Sequence, residues 1–165
     1  MTKYLILCVD DERAVLESVL QDLTPFEDNF ILEGAESVTE ARQVIEDMAQ
    51  DDVKLALILC DHIMPEQTGI SFLIELNQNA DTQSARKVLL TGQAGLEDTV
   101  EAINHESLDY YIAKPWKGEE LRQIITSQLT TFVIKNDDNL LSWTKILDAE
   151  AILTAMADRR ASFGE

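Results

Sequence analysis

The sequence predicts a three-layer, doubly wound α/β fold, and three observations carry that expectation. Five short apolar runs alternate with segments of helical periodicity through short connections. The run Leu55-Ala56-Leu57-Ile58-Leu59-Cys60 is continuously apolar, as strands buried on both faces are. It ends on Asp61 and the turn His62-Ile63-Met64-Pro65, and open parallel sheets place their chemistry outside the carboxyl ends of such strands.

Taken in order, Tyr4–Val9 is the first strand, cut off by Asp10-Asp11-Glu12. Val15, Leu16, Val19, Leu20 and Leu23 then recur at helical spacing until Thr24-Pro25 stops the helix. Phe30–Gly34 is a short second strand. Ser37 or Thr39 can cap a second helix through Gln50, with Ala41, Val44, Ile45 and Met48 inward. The strand Leu55–Cys60 follows. A third helix begins after Gly69, marked by Ile70, Phe72, Leu73 and Leu76, and gives way to a polar loop over Asn77–Arg86. Lys87–Thr91 is the fourth strand, Gly95–Glu106 a weakly apolar fourth helix and Leu108–Ala113 the fifth strand. Proline has no donor, so Lys114-Pro115 cannot continue a central strand. A helix from Gly118 to Ile134 closes the alternation, despite its poorly helical Thr130–Ile134 end.

Composition narrows the function. With 45% apolar and 27% charged residues, the 165-residue chain reads as one folded domain with a short extension. Its formal net charge of −18 argues against direct nucleic-acid binding and against docking on anionic lipid. No stretch approaches a membrane span, and the N-terminal apolar run is too short for a signal peptide. Cys8 and Cys60 lie inside strands and read as reduced, buried thiols of a cytoplasmic protein.

Four strands end in distinct polar chemistry: Asp10 and Asp11, Asp61, Thr91, and Lys114. In a sheet of order 2-1-3-4-5 these ends are neighbours. Three carboxylates so close repel by about 4 kcal/mol per pair at a surface-like dielectric, so a proton or a cation must sit among them. Oxygen ligands with open positions suit Mg²⁺. A lysine and a threonine facing the metal would orient a phosphoryl group, and Asp61 would be the nucleophile of an acyl phosphate.

Over residues 3–130 the chain resembles the response-regulator receiver domain of two-component signalling. The likeness rests on Val9-Asp10-Asp11-Glu12, Asp61-His62-Ile63-Met64-Pro65 with Gly69 beyond, Leu90-Thr91-Gly92, and Tyr111-Ile112-Ala113-Lys114-Pro115. The resemblance implies a flavodoxin-like and CheY-like sheet of order 2-1-3-4-5. It implies that Asp61 accepts a phosphoryl group from a sensor histidine kinase or a histidine phosphotransfer protein. Asp11, Asp61 and the backbone carbonyl of Ile63 would bind Mg²⁺ directly, with Asp10 acting largely through a water. Thr91 and Lys114 would hold the phosphoryl oxygens, and Tyr111 would swing inward after Thr91. Such a domain supports only its own phosphorylation and dephosphorylation and turns over no external metabolite.

Some positions depart from the family pattern. Gly92 stands where a small residue, often alanine, is usual. Ile63 offers only bulk and backbone where some relatives carry a polar side chain, and the expectation is that this bulk slows hydrolysis. His62 is expected to face solvent. Two other classes share part of this pattern, the first its Mg²⁺ and acyl phosphate and the second its doubly wound fold. An Asp-nucleophile phosphohydrolase of the haloacid-dehalogenase kind would want a second acid at Ile63 and a substrate cap. A nucleotide- or flavin-binding protein would want a glycine- or hydroxyl-rich loop where Asp10-Asp11-Glu12 stands.

The receiver is expected to occupy residues 1–134, with 135–165 a helical extension or linker. Lys135–Asn139 is a turn-and-cap cluster, and Leu140–Arg160 reads as an additional helix. On that helix Leu140, Trp143, Ile146, Leu147 and Leu153 share one face, while Leu141, Ile152 and Met156 fall opposite. Either the helix folds back on its own domain, or residues 138–160 meet a second copy or a downstream output domain. The Lys-Pro-Trp and Leu-Thr-Gly-Gln-Ala-Gly stretches resemble receivers that precede cyclic-nucleotide or cyclic-di-GMP turnover domains, including the HD-GYP type, whose catalytic machinery this chain does not carry. A single-domain regulator and the N-terminal piece of a longer protein both remain open.

Overall fold

Successive residues of a strand face opposite sides, and here both sides are apolar. In a computed structural model that describes residues 3–92 and 108–162, β1 (Lys3–Val9), β2 (Ile31–Ala35), β3 (Val53–Asp61), β4 (Arg86–Thr91) and β5 (Tyr110–Ala113) form one parallel sheet. Its order is β2-β1-β3-β4-β5, as expected. Ile6, Cys8, Leu59, Val88 and Leu90 face one layer, and Leu5, Leu7, Ile58, Cys60 and Leu89 the other. Cys8 and Cys60 thus lie on opposite faces and stay free. Burial pushes the Cys8 thiol up to about 12 and the Cys60 thiol higher still.

Helices α1 (Arg13–Asp22) and α4 (Gly118–Asn136) cover the first face, and α2 (Val38–Gln50) and α3 (Gly69–Asn77) the second. Ser37 caps α2 and Thr68 caps α3, each accepting a backbone N–H three residues on. The helix expected over residues 95–106 lies outside the described residues. Among those described, no helix is long and apolar enough to cross a membrane.

Burial of Lys87 was not visible in the apolar pattern. Its ammonium is enclosed and donates to the carbonyls of Ala85 (2.7 Å), Gln83 (3.0 Å) and Thr82 (3.3 Å). Desolvation pulls its pKa down to about 8. The lysine ties the expected polar loop to the foot of β4.

The C-terminal segment corrects the expected continuous helix. Leu141–Trp143 forms a single 3-10 turn, and α5 starts only at Ala149, running to Ser162. Asp148 interrupts the path by capping α5, its carboxylate accepting the Ala151 N–H at 3.1 Å. The break changes the helical phase. Leu140, Trp143, Leu147 and Ile152 are buried, while Leu141 and Leu153 are 61% and 52% exposed. Leu153 therefore leaves the face assigned to it, and Ile152 enters the core.

This segment folds back on its own domain. Trp143 stacks on Phe30 with ring centroids 5.1 Å apart, and Tyr4 meets Phe132 edge-on at 5.1 Å. Asp137 accepts both the Tyr4 hydroxyl and the Trp143 indole N–H at 3.0 Å. Arg159 returns from α5 to donate to the carbonyls of Ile134 and Asp137 at the end of α4. Packing of Phe132 and Val133 also carries α4 two residues past its expected end, overriding weak local propensity.

Trp143→Ala should therefore lower the unfolding free energy by about 3–5 kcal/mol in urea titrations, while Leu141→Ala stays within about 0.5 kcal/mol. Equal effects would show that the segment is not part of the core. Burial and then Asp137 hold the Tyr4 phenol above its ordinary range. The folded state thus keeps a proton that the unfolded chain loses above about pH 10. Wild type should lose stability through that window by a contribution that is missing in Tyr4→Phe.

Candidate functional site

The carboxyl ends of β1, β3, β4 and β5 converge because the sheet is parallel and β1 and β3 are neighbours. Asp10 follows β1 directly, and its N–H donates to Ala35 O at 3.1 Å at the end of β2. Asp61 is the last residue of β3, paired with Leu90, and Thr91 is the last of β4, paired with Ala113. The Lys114 N–H donates to Thr91 O at 2.9 Å, which carries the β4–β5 pairing one step into the turn. The Lys114–Pro115 bond is cis.

Carboxylate oxygens of Asp10, Asp11 and Asp61 all lie within 4.8 Å of one another. Asp10 and Asp61 are buried and Asp11 is exposed. The Lys114 ammonium stands between the buried pair, 3.0 Å from Asp61 Oδ1 and 3.1 Å from Asp10 Oδ2. Asp10 Oδ1 accepts the Glu12 N–H at 2.9 Å, where the chain enters α1. Burial raises the Asp61 pKa, and Asp10 and Asp11 add to the rise, against the Lys114 hydrogen bond that lowers it. For Lys114 burial works downward, but its two carboxylate partners outweigh it and the pKa rises. The balance leaves a cluster short of positive charge. Three hard oxygen donors fit a divalent cation of the Mg²⁺ type.

Thr91 supplies a second observation. Its hydroxyl oxygen is buried and has no hydrogen-bond partner among the described residues. Buried hydroxyls are rarely left so, and this one stands at the end of the strand beside Asp61. Tyr111 is not brought into the cluster, since its side chain is 53% exposed on β5. Ile63 is 66% exposed.

His62 corrects the expectation of a solvent-facing residue. It is only 2% exposed, and its Nδ1 accepts the Ile70 N–H at 3.4 Å. The first turn of α3 folds over it, with the Gly69 N–H donating to His62 O at 2.8 Å. Gly69 permits that approach, because a Cβ there would fall 2.1 Å from Asp61 O. Its place in the motif was readable; its reason is a contact. Trp116 was likewise noted only as part of a motif. Its indole N–H donates to Asp22 Oδ2 at 2.7 Å, fastening the turn after Lys114 to the end of α1. Asp22 stands 94 residues away in sequence, and no local pattern marks it.

The family model of the response regulator receiver domain matches residues 6–126. The chain is 32% identical over 124 residues to the response regulator Rre1 of a Synechocystis species, covering 75% of this chain and 51% of Rre1. It is 28% identical over 127 residues to the hydrogenase transcriptional regulatory protein HoxA of Cupriavidus necator, covering 74% of this chain but 24% of HoxA. A CheY-like receiver domain protein of Methanospirillum hungatei superposes with a TM-score of 0.69 at 28% identity, covering 81% of this chain and 99% of that one. The chain thus spans about half or less of the length of these curated relatives.

Gly69→Ala should destabilise the fold by about 1–3 kcal/mol in urea titrations, as overpacking against backbone does, although alanine is the better helix former. A Cβ added at Gly92 meets no described residue within 4 Å, and Gly92→Ala should stay within about 0.5 kcal/mol. A neutral Gly69→Ala would show that the helix start can move off Asp61.

Proposed function

Because the chain belongs to the response regulator receiver domain family of two-component signalling, we propose that Asp61 is its phosphoryl acceptor. The observation that carries this reading is the Lys114 ammonium bridging Asp61 and Asp10 inside a three-carboxylate cluster. The donor would be a phosphohistidine on a sensor kinase or a phosphotransfer protein. A free Asp61 oxygen attacks phosphorus, the P–N bond breaks with its electrons going to the imidazole, and an acyl phosphate remains on Asp61. Lys114 and the Thr91 hydroxyl, which has no hydrogen-bond partner among the described residues, would hold two phosphoryl oxygens.

Asp11, Asp61 and the Ile63 carbonyl would bind Mg²⁺ directly, with Asp10 acting through a water. The ion supplies positive charge that offsets both the carboxylates and the incoming phosphoryl oxygens. Recruitment of the Thr91 hydroxyl to the phosphoryl group would draw the end of β4 inward. Tyr111, which is exposed on β5, would then turn in behind it and change the surface around that strand. That surface would act on an output domain or on a second copy of the chain; HoxA is named as a transcriptional regulator. We place this signalling step in the cytoplasm, which suits two reduced, buried thiols.

Acetyl phosphate or beryllofluoride with Mg²⁺ should form an adduct seen by intact mass or by fluorine resonance. It should be lost on chelation and in Asp61→Asn; an adduct of equal yield in Asp61→Asn overturns the assignment. The exposed bulk of Ile63 beside the acceptor should shield the acyl phosphate from water. Ile63→Asn should then shorten the phosphoryl lifetime severalfold in a decay assay, and equal lifetimes would dismiss that role.

A further inference from the structure

The loop between β3 and α3 carries the Ile63 carbonyl, so its shape bears on any cation held beside Asp61. Its inner end is fixed by Gly69 lying against Asp61 O. Its outer limb has a different support. Glu66 adopts φ 72°, a backbone region that non-glycine residues rarely occupy and that surrounding contacts must maintain. The next residue, Gln67, makes those contacts. Its N–H donates to Pro65 O at 2.8 Å, and its side-chain oxygen accepts from Arg42 Nη2 at 2.5 Å.

Arg42 has partners of its own. It projects from α2 and makes a two-pronged pair with Glu75 of α3, with Nε to Oε2 and Nη2 to Oε1 both at 2.7 Å. Its guanidinium lies 5.6 Å from the ring centroid of the buried Phe72. The Gln67 amide closes the network by donating to Ser71 Oγ and Glu75 Oε1, each at 3.3 Å. A lone exposed ion pair contributes little to stability. A planar fork engaging a carboxylate, an amide and an aromatic face instead defines a geometry.

We propose that Arg42 is a positioning residue for the phosphorylation site, clamping the outer limb of the β3–α3 loop through Gln67 so that the Ile63 carbonyl faces the aspartates. The proposal rests on the Mg²⁺-dependent reading of Asp61 above. It adds a residue on α2, distant in sequence from every site motif, to the group that sets cation affinity. Arg42→Ala and Gln67→Ala should both loosen the loop. Gln67→Ala leaves the α2–α3 ion pair in place and so separates loop clamping from helix packing.

The test uses the full chain in four forms: wild type, Arg42→Ala, Gln67→Ala and the double variant. Mg²⁺ affinity by calorimetry, amide hydrogen exchange over residues 63–67 and the urea midpoint are measured on each. Both single variants should bind Mg²⁺ about three- to tenfold more weakly, at the low end of effects for residues that orient metal ligands. Their loop amides should exchange faster, urea midpoints should change little, and acetyl phosphate labelling at saturating Mg²⁺ should keep its wild-type rate. The double variant should be no worse than Arg42→Ala alone. Affinities within about twofold of wild type, with unchanged loop exchange, overturn the proposal. If wild type binds no Mg²⁺, the reading of Asp61 fails separately, and loop exchange alone then decides whether Arg42 holds the loop.

Discussion

Three carboxylates gathered at one end of a parallel sheet repel one another, and the Lys114 ammonium between Asp10 and Asp61 is what the protein itself sets against that repulsion. Much of the surrounding architecture holds this contact in place. Asp10 is tied to the end of β2, Lys114 to the end of β4, and Asp61 lies beneath the first turn of α3. One cation shared between two buried carboxylates leaves the cluster electrostatically incomplete. A cluster of oxygen donors with charge left over is one that could hold a divalent cation.

The far end of the molecule is organised around a carboxylate as well, with opposite consequences. Asp137 satisfies two donors, from Tyr4 and Trp143, and its hydrogen bonds seat the last segment on the receiver's own aromatic core. That seat is aromatic, and the buried polar atoms of Tyr4 and Trp143 find their partner in Asp137, which is how a stable junction is built. The carboxylate cluster at the other end is polar, with excess negative charge that its one lysine does not balance. The extension therefore belongs to the core, and whatever contacts its exposed Leu141 and Leu153 meets a surface already fixed to the domain.

Much of the candidate site was legible because each of its residues ends a strand. Asp10, Asp61, Thr91 and Lys114 interrupt apolar runs, and such interruptions are visible in one dimension. Residues that act by contact across the fold left no such mark. Nothing near Arg42 announces Gln67 and Glu75 as partners, and Asp22 has no local relation to Trp116. The burial of His62 is hidden for the same reason. Beside an exposed isoleucine in a polar turn it reads as solvated, and only the descent of α3 over it decides otherwise.

The sheet order was implied by the family resemblance, while the chain's own pattern carried the strand and helix alternation and the set of polar side chains at the strand ends. These follow from periodicity and from the abrupt change from apolar to charged residues, both local properties of a chain. Tertiary structure alone decided where the last helix begins and which of its faces is buried. It also decided that Lys87 would spend its charge on backbone carbonyls rather than on solvent. Those outcomes depend on which surfaces meet. A single capping residue such as Asp148 shifts a helix's phase, and only the packed partner shows which phase was kept.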